Sequence, residues 1–231
     1  MNMPDNLTHI LSKINKAMVS KAPFDHFIIH DFLPQDLYNR LVQVNDKLSN
    51  DDFDTIEKIE IVDEGECKPT PENIHKAGTI TYNMYKVGNI HKEICLLLST
   101  DDVKEAIFNR FGITEEARGG PELIREVNIN LLPHTDVEQV NTNYEGLLLN
   151  FQVYCPIDDS HPKLGVNLLK KFKAFNIANS YKTVKTVPYV PNIAWCIKPS
   201  DDSWHSVDPI KNLTDFNRDS LMMRYYKLTI K

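Results

Sequence analysis

The chain has 231 residues, and its hydrophobic fraction of 42% and charged fraction of 25% are typical of a globular protein rather than a disordered one. Its 32 acidic residues outnumber 26 basic ones, so the net charge is −6 and a broad basic surface for nucleic acid is not expected. No apolar stretch approaches the ~20 residues of a membrane span, and the polar N-terminus lacks a signal-peptide apolar region. We therefore expect a cytoplasmic protein with neither a nucleic-acid nor a membrane partner.

The four cysteines are widely spaced and form no Cys-x-x-Cys pair, which excludes zinc-ribbon and thioredoxin-type sites. They are Cys67, Cys95, Cys155 and Cys196. In the expected reducing compartment, all four are predicted to be free thiols. The glycine-rich nucleotide loops and the Gly-x-Ser-x-Gly motif are also absent, so the sequence does not support a nucleotide-loop enzyme or a serine hydrolase.

The N-terminal part predicts two helices around one strand. Apolar residues recur at helical spacing over Thr8–Ser20 and again over 34–49, where Pro34 suits the first turn of a helix. Between them, Phe24–Phe32 is rich in β-forming residues and predicts a strand.

The next segment, 51–79, is acidic and contains helix-breaking prolines, so we expect an irregular surface excursion or a lid. Two further helices are predicted over Asn89–Ser99 and Asp101–Phe111. Asp101 is the expected N-cap of the second of these, and Gly112 is its expected C-terminal stop.

From about Glu122 onward, short β-like runs alternate with clusters of Pro, Asn and Asp. These runs are Ile124–Leu132, Leu147–Ile157, Lys173–Asn176, Thr183–Val187, Ile193–Ile197 and Ser220–Ile230. Many short strands with turn signals between them predict a barrel or jelly roll. We expect one α+β, mainly β domain over 1–231, with a supporting helical region at 1–118 and most of the jelly-roll core at 119–231.

Two His-x-acid pairs are present, where about one is expected by chance. His91 and Glu93 lie in a predicted helix, where positions two apart face different directions, so we expect both on the surface. His134 and Asp136 follow a β-run, and positions two apart in an extended segment point the same way. Both side chains can then reach one metal ion.

His205 follows a later strand run and is the candidate third ligand. Two histidines and one carboxylate on one face of a metal form the arrangement of non-haem Fe(II) oxygenases. Local sequence alone favours the alternative that His205 is an ordinary core or surface histidine.

Arg218 opens the last, mostly apolar strand, where an inward-facing guanidinium needs an anionic partner. Its planar fork matches a carboxylate, and Ser220 shares its strand face and can donate to the same group. Asp219 should face the opposite side, so no acidic residue of the last strand neutralises Arg218. The alternative is an exposed arginine at a strand edge.

These three motifs, in this order and spacing, resemble the Fe(II)- and 2-oxoglutarate-dependent dioxygenases, especially their prolyl 4-hydroxylase-like branch. The motifs are His134-Thr-Asp136, Trp204-His205-Ser-Val207 and Arg218-Asp-Ser220. Further similarities lie in the N-terminal segment 23–34, in Leu164-Gly165 and in Pro191-Asn192.

The resemblance implies a double-stranded β-helix in which His134, Asp136 and His205 are catalytic and bind Fe(II). It further implies that Arg218 and Ser220 hold the distal carboxylate of 2-oxoglutarate. The implied reaction uses O2 and hydroxylates a peptide side chain or a small molecule, releasing succinate and CO2. Related halogenases lack the carboxylate ligand, so Asp136 favours hydroxylation.

The sequence departs from the family where a tyrosine usually contacts 2-oxoglutarate. Asn130 or Asn150 is the candidate replacement, although both are equally compatible with strand residues that close their own hydrogen bonds.

The alternative function is a metal-binding, cupin-like barrel without redox chemistry, either a binding module or an isomerase. Substrate contacts are expected from 51–79 and 137–146. Four strand aromatics are assigned to the core, namely Trp195, Trp204, Tyr225 and Tyr226.

Overall fold

The structure is a computed structural model. It describes residues 3–49, 55–61, 75–82, 89–127, 131–136, 145–174, 177–208 and 217–228. Its helices are α1 (Met3–Lys16), α2 (Gln35–Asn45), α3 (Asn89–Leu98) and α4 (Asp101–Phe111), with a 3-10 turn at Pro162–Leu164. Among the described helices, none is both long and apolar enough to cross a membrane.

Eleven strands are described, and they form two antiparallel sheets packed as a sandwich. They are β1 (His26–Ile29), β2 (Thr55–Ile61), β3 (His75–Tyr82), β4 (Ala117–Val127), β5 (Leu131–His134), β6 (Glu145–Tyr154), β7 (Val166–Ala174), β8 (Ile177–Val187), β9 (Ala194–Ile197), β10 (His205–Val207) and β11 (Arg218–Lys227). The major sheet has the order β1-β9-β6-β11-β4-β3-β2, and the minor sheet has the order β5-β10-β7-β8. The predicted α+β jelly-roll architecture is confirmed.

The major sheet buries both of its faces, and alternation along each strand decides which core a side chain joins. On β6, Phe151 and Val153 pack with the helices, whereas Tyr154 joins a second core between the two sheets. On β9, Cys196 packs on the helix side and Trp195 on the barrel side. A functional side chain on this sheet therefore faces either the helices or the interior of the barrel.

The helices pack on the outer face of the major sheet through one apolar stripe each. Ile10 and Ile14 of α1 are fully buried there, as is Leu41 of α2. The N-cap of α4 is Thr100 rather than the predicted Asp101, because the Thr100 hydroxyl accepts a hydrogen bond from the Val103 amide.

Gly112 ends helix α4 as predicted. It adopts a left-handed conformation with φ of 64°, and its amide donates to the carbonyl of Phe108. Only glycine enters this conformation without a Cβ penalty, so the residue fixes the end of the helix.

The predicted irregular excursion at 51–79 is wrong for the part that is described. Strands β2 and β3 pair with each other, and β3 continues the major sheet by pairing with β4. Charged residues among β-branched ones are typical of strands at a sheet edge, and here the acidic composition concealed the strand pattern. Residues 62–74 lie outside the described part of the chain.

His91 is buried, so its predicted surface position is wrong. Its Nε2 lies 2.9 Å from Oδ1 of Asn45, and this contact joins α3 to α2. Glu93, two positions on, faces another direction and pairs with Arg40 at 2.8 Å. The helical pattern correctly predicted that the two side chains point in different directions, but the predicted surface environment of His91 is wrong.

Three of the four cysteines are free and buried, in agreement with the predicted thiols. These are Cys95, Cys155 and Cys196, whereas Cys67 lies outside the described residues. The cytoplasmic location stays a prediction.

Candidate metal centre

The register of the minor sheet brings the two candidate histidines together. His134 ends β5, His205 begins β10, and the two residues lie directly opposite each other in the antiparallel pair. Their ring centroids are 4.2 Å apart. Asp136, two residues beyond the end of β5, turns its carboxylate toward both rings.

The three side chains form a cluster of metal-binding size. Oδ1 of Asp136 lies 3.7 Å from Nε2 of His205 and 3.9 Å from Nε2 of His134. All three candidate ligand atoms lie within 4.8 Å of one another. Two atoms bound to one ion at ~2.1 Å are about 3–4 Å apart, so the carboxylate–imidazole distances suit a shared ion.

Burial differs among the three residues. Asp136 and His205 are buried, whereas the His134 side chain is 24% exposed. Among the residues that the structure describes, His134 is thus the candidate ligand that is left partly exposed.

Neighbouring groups orient two of the candidate ligands. Nδ1 of His205 lies 2.9 Å from the Ser203 carbonyl, which makes Nδ1 the protonated nitrogen and leaves the lone pair of Nε2 directed at Asp136. Asn150 donates from Nδ2 to Oδ2 of Asp136 at 2.9 Å. Because this bond occupies Oδ2, Oδ1 remains turned toward the histidines.

The surroundings of Asp136 favour its ionised form. Burial by itself would raise the pKa of this carboxyl, but the fields of His205 and His134 and the Asn150 hydrogen bond together outweigh burial and lower it. An ionised carboxylate together with two imidazoles forms a donor set that suits Fe(II).

Solved structures match this chain over nearly its whole length, although sequence identity is low. The prolyl 4-hydroxylase of Pseudomonas putida is 13% identical, with 96% of this chain and 99% of that chain covered and a TM-score of 0.54. The prolyl hydroxylase of Trichoplax adhaerens, solved with a peptide of the hypoxia inducible factor oxygen degradation domain, is 10% identical, with 97% and 90% covered and a TM-score of 0.57.

A 2OG-Fe(II) family oxygenase of Burkholderia pseudomallei is 10% identical, with 98% of this chain and 91% of that chain covered and a TM-score of 0.51. No family model matches the sequence, and neither does any curated protein. The chain has the fold of the 2-oxoglutarate- and Fe(II)-dependent oxygenases. The predicted double-stranded β-helix is confirmed, while the chemistry has to be argued from the site.

Within this oxygenase fold, Arg218 lies on the barrel side of the major sheet, fully buried at the start of β11. Its neutralising carboxylate comes from β4, where Glu126 is the cross-strand partner and accepts from Nη1 of Arg218. Burial opposes the charge of Arg218, but Glu126 outweighs burial and raises the guanidinium pKa. The expectation that the last strand itself holds no neutralising acid is correct, but the neighbouring strand supplies one.

The remaining surroundings of Arg218 close the barrel at the end away from the metal. Nε of Arg218 donates to the Leu164 carbonyl at 2.8 Å, and the guanidinium carbon lies 4.8 Å and 5.4 Å from the ring centroids of Tyr154 and Tyr189. Gly165 permits this closure, because a Cβ at that position would collide with the backbone carbonyl of Val187.

The other predicted cosubstrate residues have different outcomes. Ser220 is buried on the same face as Arg218, where its hydroxyl accepts from Nε2 of Gln152 at 2.7 Å. Asn150 contacts the candidate ligand Asp136, and Asn130 lies outside the described residues. Binding of 2-oxoglutarate by these side chains stays a prediction.

Sequence reasoning missed a cation beside the metal centre. Arg224 lies on the barrel side of β11, opposite Asn150, and its field contributes to the lowered pKa of Asp136. Nη2 of Arg224 also donates to Glu122 at 2.9 Å. The sequence pattern that could have identified Arg224 is the alternation of side chains along β11, since residues 218 and 224 are separated by an even number of positions and therefore share a strand face.

Proposed function

We propose that this protein is an Fe(II)- and 2-oxoglutarate-dependent oxygenase that hydroxylates a peptide side chain or a small molecule and releases succinate and CO2. The observation that carries the proposal is the convergence of His134, Asp136 and His205 at one point of the oxygenase fold. Two imidazoles and one carboxylate leave the other coordination positions of the metal open to a cosubstrate and O2.

Each residue of the centre has a distinct task in this proposal. The two Nε2 atoms and Oδ1 of Asp136 would hold Fe(II), with Asn150 and the Ser203 carbonyl fixing the orientation of Asp136 and His205. When bound, Fe(II) supplies the redox chemistry that couples decarboxylation of the 2-oxo acid to oxygenation of a C–H bond.

The cosubstrate residues lie deeper in the barrel. Arg218 would pair with the distal carboxylate of 2-oxoglutarate, and Ser220 would donate to it, as the family resemblance implies. The low-dielectric interior strengthens such contacts.

A second candidate is a metal-binding barrel that performs no 2-oxoglutarate chemistry. The observation that favours it is the Arg218–Glu126 pair, since Glu126 already neutralises the cation that a dicarboxylate would need. The oxygenase proposal requires 2-oxoglutarate to share or displace this contact, whereas the second candidate leaves it permanently closed.

Turnover of 2-oxoglutarate separates the two candidates. The purified protein, loaded with Fe(II) and kept reduced with ascorbate, is supplied with O2 and 2-oxoglutarate in the presence of peptide and small-molecule panels. Succinate is quantified, and the Asp136→Ala variant serves as the control. Succinate formation that requires both Asp136 and O2 supports the oxygenase, whereas metal binding with no 2-oxoglutarate binding supports the second candidate.

A further inference from the structure

The barrel side of the major sheet contains three buried polar atoms that have no hydrogen-bond partner among the described residues. They are Nε1 of Trp195, Oδ1 of Asn150 and Nε2 of His26. An unsatisfied buried polar group costs about 1–3 kcal/mol, and folded proteins retain few of them. The three residues lie on the adjacent strands β1, β9 and β6, so the unsatisfied atoms share one wall of the barrel.

Trp195 occupies the middle of this wall, directly beside the metal centre. Its ring centroid is 6.4 Å from that of His205. The cross-strand partner of Trp195 is Gln152. Asn150, which contacts Asp136, lies two positions before Gln152 on β6, nearer the candidate metal centre. Alternate residues of a strand share a face, so Trp195 lies one step further into the barrel than the cluster of metal ligands.

The chemistry of the three atoms differs. Nδ1 of His26 lies 2.8 Å from the Phe24 carbonyl and is therefore protonated, so the neutral ring has an acceptor at Nε2. Oδ1 of Asn150 is also an acceptor, since its amide nitrogen donates to Asp136. The indole N–H of Trp195 is only a donor, and it is the atom of the three that pairs with a carboxylate oxygen.

We infer that Trp195 is a cosubstrate-positioning residue, whose Nε1–H donates a hydrogen bond to a carboxylate oxygen of 2-oxoglutarate bound at the His134–Asp136–His205 centre. The inference rests on the proposed oxygenase function. This hydrogen bond would give the buried indole N–H a partner. It would also contact 2-oxoglutarate at a point between the candidate metal centre and the Arg218–Glu126 pair.

The chain offers a matched pair of variants, because it has only two tryptophans. Trp195→Phe removes the donor and retains an aromatic ring. Trp204→Phe makes the same change at a different environment, since the Trp204 ring packs at a tilt against Tyr181 and its centroid lies 4.3 Å from Nζ of Lys171. Calorimetric titration of 2-oxoglutarate is performed without O2, on protein loaded with Mn(II).

Trp195→Phe is expected to weaken 2-oxoglutarate binding about 10- to 100-fold, the scale of one hydrogen bond to a charged group. Its Mn(II) affinity should equal that of the wild type, because the indole is not a ligand. Trp204→Phe should leave both affinities unchanged. Equal affinity of wild type and Trp195→Phe for 2-oxoglutarate would overturn the inference.

Fluorescence provides a second measurement that does not depend on the folding of the Trp195 variant. In Trp204→Phe the remaining indole is the native Trp195, and its emission should change when 2-oxoglutarate is added to the Mn(II)-loaded protein. An unchanged emission, with 2-oxoglutarate bound by calorimetry, overturns the role of Trp195 and leaves the proposed function intact. Failure of the wild type itself to bind 2-oxoglutarate overturns both.

Discussion

Strands β4 and β11 carry two adjacent buried ion pairs, one on each face of the major sheet. Arg125 and Asp219 face the helices, while Glu126 and Arg218 face the barrel, and each pair consists of direct cross-strand partners. Each pair joins an arginine to a carboxylate, with the arginine on β4 in the first pair and on β11 in the second. Because the side-chain chemistry is the same, differences between the pairs come from their surroundings.

The helix-side pair is held by several protein groups. Arg125 donates to both oxygens of Asp219 at 2.7 Å, and to the carbonyls of Leu48 at 2.7 Å and Asn45 at 3.0 Å. This bidentate pair, with two further bonds to backbone carbonyls, fixes the end of α2 against the sheet. This arrangement is structural.

The barrel-side pair has different neighbours. Arg218 donates to Glu126 and to the Leu164 carbonyl, its side chain also bonds to that of Tyr154, and its guanidinium lies near the rings of Tyr154 and Tyr189. This pair shares the barrel interior with the metal centre and the unsatisfied indole of Trp195. The two pairs therefore differ in what lies beside them: Arg125 ties the sheet to the end of α2, whereas Arg218 faces the interior that also contains the candidate metal centre.

The largest expected effect is on the barrel side, at the metal centre. Asp136→Ala removes the charged ligand and should abolish Fe(II) binding at micromolar metal, measured by anaerobic calorimetry. Asp158→Ala, the same change at an exposed loop position, is the control and should bind like the wild type. Unchanged affinity in Asp136→Ala would contradict the assignment.

On the helix side, Arg125→Met should destabilise the fold and leave the metal affinity unchanged. The variant leaves Asp219 buried without its cation, and breaking a buried pair costs about 3–5 kcal/mol of unfolding free energy. Urea denaturation of the apoprotein measures this loss. Combining Arg125→Met with Asp219→Asn should recover part of it, since no unpaired charge then remains. A neutral single variant would show that the pair contributes no net stability.

Arg218 sharpens the comparison, since its removal should affect ligand binding. Arg218→Ala is expected to weaken 2-oxoglutarate binding by about 2–5 kcal/mol at fixed metal, with Fe(II) affinity unchanged. Arg218→Lys should recover part of the loss, because a point charge does not reproduce a planar fork.

Glu126→Gln tests whether the existing carboxylate competes with the cosubstrate. Removing its charge should tighten 2-oxoglutarate binding, because the acid then no longer shares the guanidinium with an anion. Titrations of the wild type and all three variants are compared. Equal affinity in all four proteins would refute the cosubstrate role and leave Arg218–Glu126 as a second structural pair.

The sequence was informative where function depends on local pattern. The His-x-Asp motif predicted that His134 and Asp136 lie together, and the structure places them 3.9 Å apart, while metal binding by them stays a prediction. The alternation of Arg218, Asp219 and Ser220 along β11 is correct. The pairing between strands could not be predicted from local sequence patterns. Glu126 neutralises Arg218 only because β4 and β11 are neighbours in one register, which no local spacing encodes.

Environment was the second source of error. A helical pattern shows which residues share a face, but His91 became a core residue only because α2 presents Asn45 to it. The strands at 55–61 and 75–82 were missed because their charged and proline-containing neighbourhood resembles a loop. The first of them is the edge strand of the major sheet, where charge is tolerated.

An effect expected only below neutral pH concerns this histidine, which belongs to the helix side. Burial lowers the pKa of His91 from 6.5 to about 4 in the folded protein. The unfolded chain therefore binds a proton between these values while the folded protein does not, so stability falls as pH decreases through this window. A shift of this size corresponds to about 3 kcal/mol of stability lost between pH 7 and pH 4.

His91→Gln should remove that part of the pH dependence, as measured by urea unfolding between pH 4 and pH 7. His30→Gln, the same change at an exposed histidine, is the control and should retain the pH dependence. Since Asn45 contacts both His91 and Arg125, an unaltered pH slope in His91→Gln would show that the helix side does not depend on a neutral histidine.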